Sequence, residues 1–392
     1  MDSLKNYQTD CLFLLVGTNP LPNFVSALLL AKDRARIILL HTADTGEVAE
    51  DLKWVIGQRK LGVQVEMRQI DRGCGDRILK DMDRLLKGID PKLSLGLNYT
   101  GGTKAMSVYT YQALKKTAAS VVFSYLDART SSLMIDTKDD DTTKKIYIGQ
   151  NCPVRLKEIL SLHGYRIDNV KQKLVHPDFC RVLAEIYSNK DAYEQWKEWL
   201  KKLGNKEIEP KSLPTKSEYP ALTKVIDKID EICDGKPSPG LFAQILGRDK
   251  LSSCKQFLEG KWLDEYTFCS VGQLVEDLGL NDLCLELEAK KPRKFELDVV
   301  FVRGYQLFAL SCKASNKKNK CKLGLFEAFT RARQLGGDEA RVGLVCCYNQ
   351  PGQLQREIKE SWFAKGQVKV FGMSDLINLQ ARLREWINST NN

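Results

Sequence analysis

The 392-residue chain is α/β throughout, with a parallel sheet in residues 1–150, a helical connector over 151–240 and a second, differently ordered α/β core over 241–392. Three observations predict this. Up to residue 150, short apolar runs alternate with stretches of helical spacing, the pattern of a parallel sheet covered on both faces. From 151 to 240 the texture turns Lys-, Glu- and Trp-rich. Beyond 240 the order becomes helix, three antiparallel strands, helix, strand.

Cys11 to Val16 is the first strand, Leu21 to Ala31 a helix, Ile37 to His41 a strand and Val48 to Lys60 a helix. Val63 to Met67, Leu93 to Leu97 and Val121 to Leu126 continue the strands, and Ile78 to Leu86 and Thr103 to Thr117 the helices. Ser132 to Asp136 and Lys145 to Ile148 flank the acidic turn Asp139-Asp140-Asp141 as a closing hairpin. In the connector, the helical Asp191 to Leu203 precedes Pro210, Pro214 and Pro220, and Asp234 to Gly240 reads as a linker. Lys255 to Leu278 is then helical and Cys284 to Ala289 a strand. Phe295 to Val302 and Gln306 to Lys313 form a hairpin turned at Arg303-Gly304. A helix from Lys322 to Leu335, a strand from Arg341 to Cys347 and an alternating tail to Trp386 complete the chain.

Net charge is +10, which suits a polyanionic partner, although abundant charge of both signs also describes an ordinary surface. Twelve cysteines without a C-x-x-C pair argue against a zinc ribbon or a disulfide framework and for reduced thiols in a cytoplasm. No apolar run approaches the ~18 residues of a membrane span, and the N-terminus lacks a secretory pattern. The expectation is a soluble protein that is not exported.

The most informative stretch is Asn98-Tyr-Thr-Gly-Gly-Thr-Lys104, set between a buried strand and a helix. Gly101 and Gly102 permit positive φ and close approach of a ligand to the backbone, while a helix start presents N–H groups to negative charge. Thr100, Thr103 and Lys104 add hydroxyls and a cation. The spacing is neither that of a Walker A loop nor of the dinucleotide fingerprint, and a ligand-free tight turn satisfies it equally. Gly17-Thr18-Asn19-Pro20 follows the first strand. Ligands of such sheets bind beyond the carboxyl ends of the strands where strand order reverses, so the two loops are expected to meet over one polar ligand. Thr18 and Asn19 also suit helix capping.

In the last third, Asp298 and Lys313 fall on the two arms of one hairpin. A carboxylate can hold a hard divalent cation, and a neighbouring ammonium can orient or deprotonate water or stabilise developing charge. A cross-strand ion pair gives the same pattern. Glu265, one turn beyond Trp262, is an acid whose burial would be costly unless it bound something. Lys313, Lys317, Lys318, Lys320 and Lys322 form the clearest basic cluster, suited to phosphates.

Asn98-Tyr-Thr-Gly-Gly-Thr-Lys104-Ala-Met resembles the signature of CRISPR-associated Rossmann-fold (CARF) sensor domains. Phe295-Glu-Leu-Asp298-Val-Val with Ala309-Leu-Ser-Cys-Lys313, and Trp262-Leu-Asp-Glu265-Tyr upstream, is similar to a PD-(D/E)xK restriction-endonuclease-like core. In that order they resemble the CARF-nuclease effectors of type III CRISPR defence in prokaryotes. The resemblance implies a homodimer that binds a cyclic oligoadenylate, most often cyclic tetra-adenylate, and thereby switches on a nuclease dependent on Mg2+ or Mn2+ that cleaves DNA or RNA. By position, Gly17, Thr18, Asn19, Thr100, Gly101, Gly102, Thr103 and Lys104 would line the ring pocket. Glu265, Asp298 and Lys313 would form the catalytic centre, with Glu265, Asp298 and Glu296 as metal ligands and Lys317, Lys318, Lys320 and Lys322 on the nucleic acid. The family pattern places an acid two residues before the catalytic lysine, where this chain has Ser311. Alternatives are a ribonuclease using Arg36 and His41, a regulator that binds nucleic acid without cleaving it, and a constitutive restriction or repair nuclease.

Overall fold

The computed structural model describes residues 2–127, 130–138, 140–171, 174, 176–203, 213–290, 295–362 and 367–389. Asp139 and Pro210 lie outside these residues.

After a one-turn helix α1 (Asp2–Lys5), the chain alternates β1 (Thr9–Leu15), α2 (Leu21–Leu30), β2 (Ala31–His41), α3 (Gly46–Arg59), β3 (Gln64–Gln69), α4 (Gly75–Lys87), β4 (Leu95–Asn98), α5 (Lys104–Lys115) and β5 (Val121–Asp127). A hairpin of β6 (Ser132–Thr137) and β7 (Asp140–Tyr147) follows. The seven strands lie in the order β3-β2-β1-β4-β5-β6-β7, parallel through β5 and antiparallel at β6 and β7. Cys11 to Leu15 of β1 and Ile37 to Leu40 of β2 are apolar and buried because helices cover both faces. This is the architecture the alternation predicts.

The connector departs from a helical spacer. α6 (Leu156–Leu162) leads to β8 (Arg166–Lys171), then α7 (Pro177–Ser188), α8 (Lys190–Lys202), α9 (Thr223–Ile232) and α10 (Pro239–Ile245). β8 pairs antiparallel with β9 (Leu280–Lys290) and forms the edge of the second sheet. Phe179, Trp196, Trp199 and Phe242 share one buried cluster with Trp262, Phe301, Phe308 and Trp386. The proposed linker at Asp234–Gly240 is an ordered turn, with Asp234 at φ +51° and Gly235 at +70° joining α9 to α10. The described residues between 166 and 245 therefore pack as part of the second unit.

That unit continues with α11 (Trp262–Gly272), α12 (Val275–Leu278), β9, β10 (Phe295–Arg303), β11 (Gln306–Lys313), α13 (Lys318–Gly336), β12 (Arg341–Cys346), α14 (Pro351–Trp362), β13 (Val368–Phe371) and α15 (Leu379–Ser389). Its sheet runs β13-β12-β11-β10-β9-β8, with β9, β10 and β11 antiparallel and β12 and β13 parallel to β11. The tail expected to alternate to Trp386 is helix, strand and helix.

The two units are joined by packing. One apolar cluster runs from Leu126 and Leu133 through Leu156 and Ile159 of α6 to Leu307 and Leu335. Val154 N donates to Gly304 O at 2.8 Å, and Arg59 pairs with Glu158 at 3.2 Å. All twelve cysteines are free, and all but Cys74 and Cys269 are buried. Among the described residues no helix is long and apolar enough to cross a membrane.

Because β8 and α7–α10 complete the second core, a fragment of residues 241–392 is expected to lack a cooperative thermal transition, whereas residues 153–392 show one by calorimetry. In the full chain, Trp262→Ala removes a fully buried ring and is expected to cost about 3–5 kcal/mol, read as a fall of roughly 6–15 °C in Tm.

Candidate functional site

Strand order reverses between β1 and β4, and the loops that leave their carboxyl ends lie side by side. The contact is backbone on backbone. A Cβ on Gly101 would overlap the Leu15 carbonyl oxygen and lie 3.1 Å from Gly17 N, and one on Gly17 would lie 3.1 Å from Gly102 N. Gly102 has φ +74°. The loop-to-loop approach and the positive φ thus account for all three glycines, at the point where strand order reverses.

Several polar side chains there are committed to the protein. Thr103 Oγ1 accepts from Met106 N at 3.1 Å, capping α5, and donates to Arg72 O at 2.7 Å. Thr100 Oγ1 accepts from Leu126 N at 2.7 Å. Thr18, Gly102 and Lys104 are exposed at the mouth. Asn19 faces elsewhere: its Oδ1 accepts from Leu21 N at 3.2 Å, and its amide nitrogen lies against Gly337 of the second unit. Asn23 was not evident from the sequence. Fully buried, it donates to Leu15 O at 2.9 Å and sets its Oδ1 toward Gly101.

Arg36 and His41 are not a catalytic pair. Arg36 makes a two-pronged ion pair with Glu66 at 2.6 and 3.0 Å, while His41 Nδ1 bonds to Thr42 O at 2.9 Å. Five residues apart on β2, they are separated by roughly 17 Å of strand.

In the second unit, the register that pairs Val299 with Leu310 brings Asp298 beside Ser311. Asp298 Oδ2 accepts from Cys312 N at 2.7 Å, Ser311 Oγ at 3.3 Å and Lys313 Nζ at 3.3 Å. The second acid is Asp264, the neighbour of the expected Glu265. Asp264, Asp298 and Cys312 each offer a ligand atom, all within 4.8 Å of one another. Glu265 is buried on the other side of α11, where burial and then its charge push the Cys269 thiol up. A π-helical turn over Phe257–Lys261 precedes α11, and the extra residue rotates the following side chains by one position relative to an uninterrupted helix.

Lys261, also missed from the sequence, sits among three carboxylates, 3.1 Å from Asp264, 3.3 Å from Glu286 and 3.1 Å from Glu296. Burial alone would lower its pKa, but these acids outweigh burial and raise it. Glu296 therefore neighbours Asp264 through Lys261 and is not part of the Asp264–Asp298 cluster.

Burial, reinforced by the Asp298 charge and countered by Lys261 and Lys313, pushes the Asp264 carboxyl up to about 8. Burial opposes the charge on Lys313, yet Asp298 and Asp264 hold its pKa above the ordinary lysine value. Lys313 is therefore an ammonium near neutrality. Two adjoining carboxylates with unrelieved repulsion fit a hard divalent cation. Cys312 does not fit that role, since its buried thiol bonds Thr267 Oγ1 at 3.4 Å and its pKa is raised well above the usual value, first by burial and then by Asp264. Of the basic cluster, Lys318 and Lys322 both pair with Glu357, while Lys317 and Lys320 are exposed.

The folds and their two sites define a Rossmann-like ligand-binding unit ahead of a restriction-endonuclease-like core. Comparison with known families makes this specific: residues 11–151 match the Card1 CARF domain, and residues 252–390 match the Card1-like endonuclease domain. The chain is a CARF sensor domain fused to a Card1-like endonuclease domain. Among solved structures it is similar to Can2 from Sulfobacillus thermosulfidooxidans in complex with cyclic tetra-adenylate, with TM-score 0.72 and 17% identity over 99% of both chains. It is similar to protein VC1899 from Vibrio cholerae, with TM-score 0.73 and 15% identity over 97% of this chain and 98% of that one. A type III CRISPR defence DNA nuclease activated by cyclic oligoadenylate matches at TM-score 0.50 and 16% identity, over 86% of this chain and 45% of that one. No curated protein matches the chain.

Between the ordinary aspartate value of about 3.9 and about 8, the folded chain retains a proton on Asp264 that the unfolded chain has released. Metal-free stability should therefore fall as pH rises through this window. Asp264→Asn removes that loss. In EDTA its Tm is expected to exceed that of the parent at pH 9, by roughly 3 °C or more, with the gap closing toward pH 4.

Proposed function

We propose that the chain is a cyclic-oligoadenylate-activated, metal-dependent endonuclease of type III CRISPR defence, working as a homodimer in a prokaryotic cytoplasm and cleaving DNA, RNA or both. The carrying observation is buried Asp264 beside half-buried Asp298, with the Lys313 ammonium 3.3 Å from Asp298, on a chain whose other unit is a CARF domain.

Asp264 and Asp298 would hold Mg2+ or Mn2+, which supplies an activated water and neutralises charge on the scissile phosphate. Lys313 points its ammonium at the same place and stabilises negative charge as it develops on the phosphoryl oxygens. Lys317 and Lys320 extend the positive field toward the nucleic-acid backbone. At the sensor, Thr18, the Gly17 and Gly101–Gly102 backbone and Lys104 receive the ring, and the likeness to Can2 supports cyclic tetra-adenylate. A two-fold symmetric ring suits two copies of one crevice. Val108 and Tyr125, 60% and 41% exposed on α5 and β5, give the sensor an apolar margin for the second copy.

One observation favours a regulator that binds without cleaving: β11 carries Ser311, which donates to Asp298 and supplies no acid. Asp264 answers it by bringing a second carboxylate from α11.

With cyclic tetra-adenylate and Mn2+, Asp298→Ala is expected to lower cleavage of plasmid and single-stranded substrates by ~10^3-fold or more, with ring affinity retained by calorimetry. Lys104→Ala is expected to weaken ring binding by roughly 10–100-fold, the loss of a charge-assisted contact. A parent protein that never cleaves under any ring and metal combination selects the regulator.

A further inference from the structure

We propose that Asn19 is a positioning residue that passes ring occupancy to the nuclease centre through α13, and not a ligand contact; this rests on the function proposed above. Helix α13 touches both sites. At its carboxyl end, a Cβ on Gly337 would overlap Asn19 Nδ2, so the CARF loop that follows β1 rests directly on the glycine that ends the helix. Gly337 has φ +65° and ψ −152°, a conformation open essentially to glycine alone, and its N–H bonds back to Arg333 O. The same end is held on two further sides. Leu335 O bonds His163 Nε2 at 2.9 Å, and a Cβ on Gly336 would lie 2.9 Å from Leu307 Cβ.

Toward the other end, a Cβ on Gly324 would lie 2.5 Å from Lys313 Cε, 3.0 Å from Lys313 Cγ and 3.1 Å from Ser311 Oγ. The aliphatic stem of Lys313 therefore lies on the helix backbone, and the position of its ammonium against Asp298 follows the helix. Gly324 and Gly337 are about 20 Å apart along an unbroken α-helix. Its sequence, Lys318 to Gly336, contains no proline, so nothing within it absorbs a displacement by kinking.

Asn19 sits one residue from exposed Thr18 and two from Gly17, which touches the Gly101–Gly102 loop. A ring that draws these loops together moves Asn19, and the bond of its Oδ1 to Leu21 N makes the loop and the start of α2 move as one. The shift reaches Gly337 by contact, travels along α13 and resets Lys313. Ring binding and Lys313 placement are thereby linked by two packed contacts, each at a glycine.

The test uses the full-length protein and cyclic tetra-adenylate, with Asn19→Ala and Gly337→Ala as separate variants and their Tm values as the folding control. Ring affinity is read by calorimetry, and cleavage as a function of ring and substrate concentration. The expected result is a ring Kd within about threefold of the parent value, a maximal ring-stimulated kcat at least tenfold lower, and an unchanged substrate KM. If Gly337→Ala fails to fold, Asn19→Ala alone decides. Loss of ring affinity in Asn19→Ala would overturn the inference by making Asn19 a ligand contact, and full stimulation of Asn19→Ala would overturn it while leaving the proposed function intact. A parent protein that no ring stimulates would overturn the proposed function itself.

Discussion

Two adjoining carboxylates, buried Asp264 and half-buried Asp298, impose the constraint around which the second unit is arranged. The chain sets cations on both flanks of the pair. Lys313 stands on Asp298 from the neighbouring strand position, and Lys261 stands on Asp264 from the preceding turn. Lys261 carries two more acids, Glu286 and Glu296, so the strands β9 and β10 are tied to the helix through one ammonium. Burial first, and the Asp298 charge second, raise Asp264, and two carboxylates this close are a donor set that fits a divalent ion.

The CARF unit solves a different problem with fewer charges. Two loops must cross at backbone distance, and only glycine at 17, 101 and 102 lets them. Most neighbouring hydroxyls and amides then hold the loops in shape: Thr100 binds β5, Thr103 caps α5, Asn98 bonds to Ser124 and Asn23 bonds to Leu15. The two loops are thus held in shape by their own hydrogen bonds.

Much of this was legible in the sequence, for local reasons. Strand and helix alternation exposes the parallel sheet, and paired glycines at a strand-to-helix junction mark the crevice. Asp298 and Lys313 could be placed together because a hairpin at Arg303-Gly304 fixes their strands as neighbours. Asp264 could not be distinguished from Glu265, since α11 is buried on nearly every side and its sequence has no polar stripe to set the register. The π-helical turn ahead of it shifts the facing residue by one. β8 escaped notice because Arg166-Ile-Asp-Asn-Val-Lys171 lacks apolar alternation, and an edge strand needs little of it. The dual pairing of Lys318 and Lys322 with Glu357 depends on α14, whose packing no spacing rule reports.

The pairing of β8 with β9 also sets an order in time. Arg166 meets Lys290, more than a hundred residues later, whereas every strand of the CARF sheet is complete by Tyr147. On a growing chain the first sheet can close while the partners of β8, and the β13 and α15 segments beyond them, are still unsynthesised. Closing so long a loop is slow and entropically costly. The molecule is therefore born with its CARF sheet assembled ahead of its endonuclease sheet.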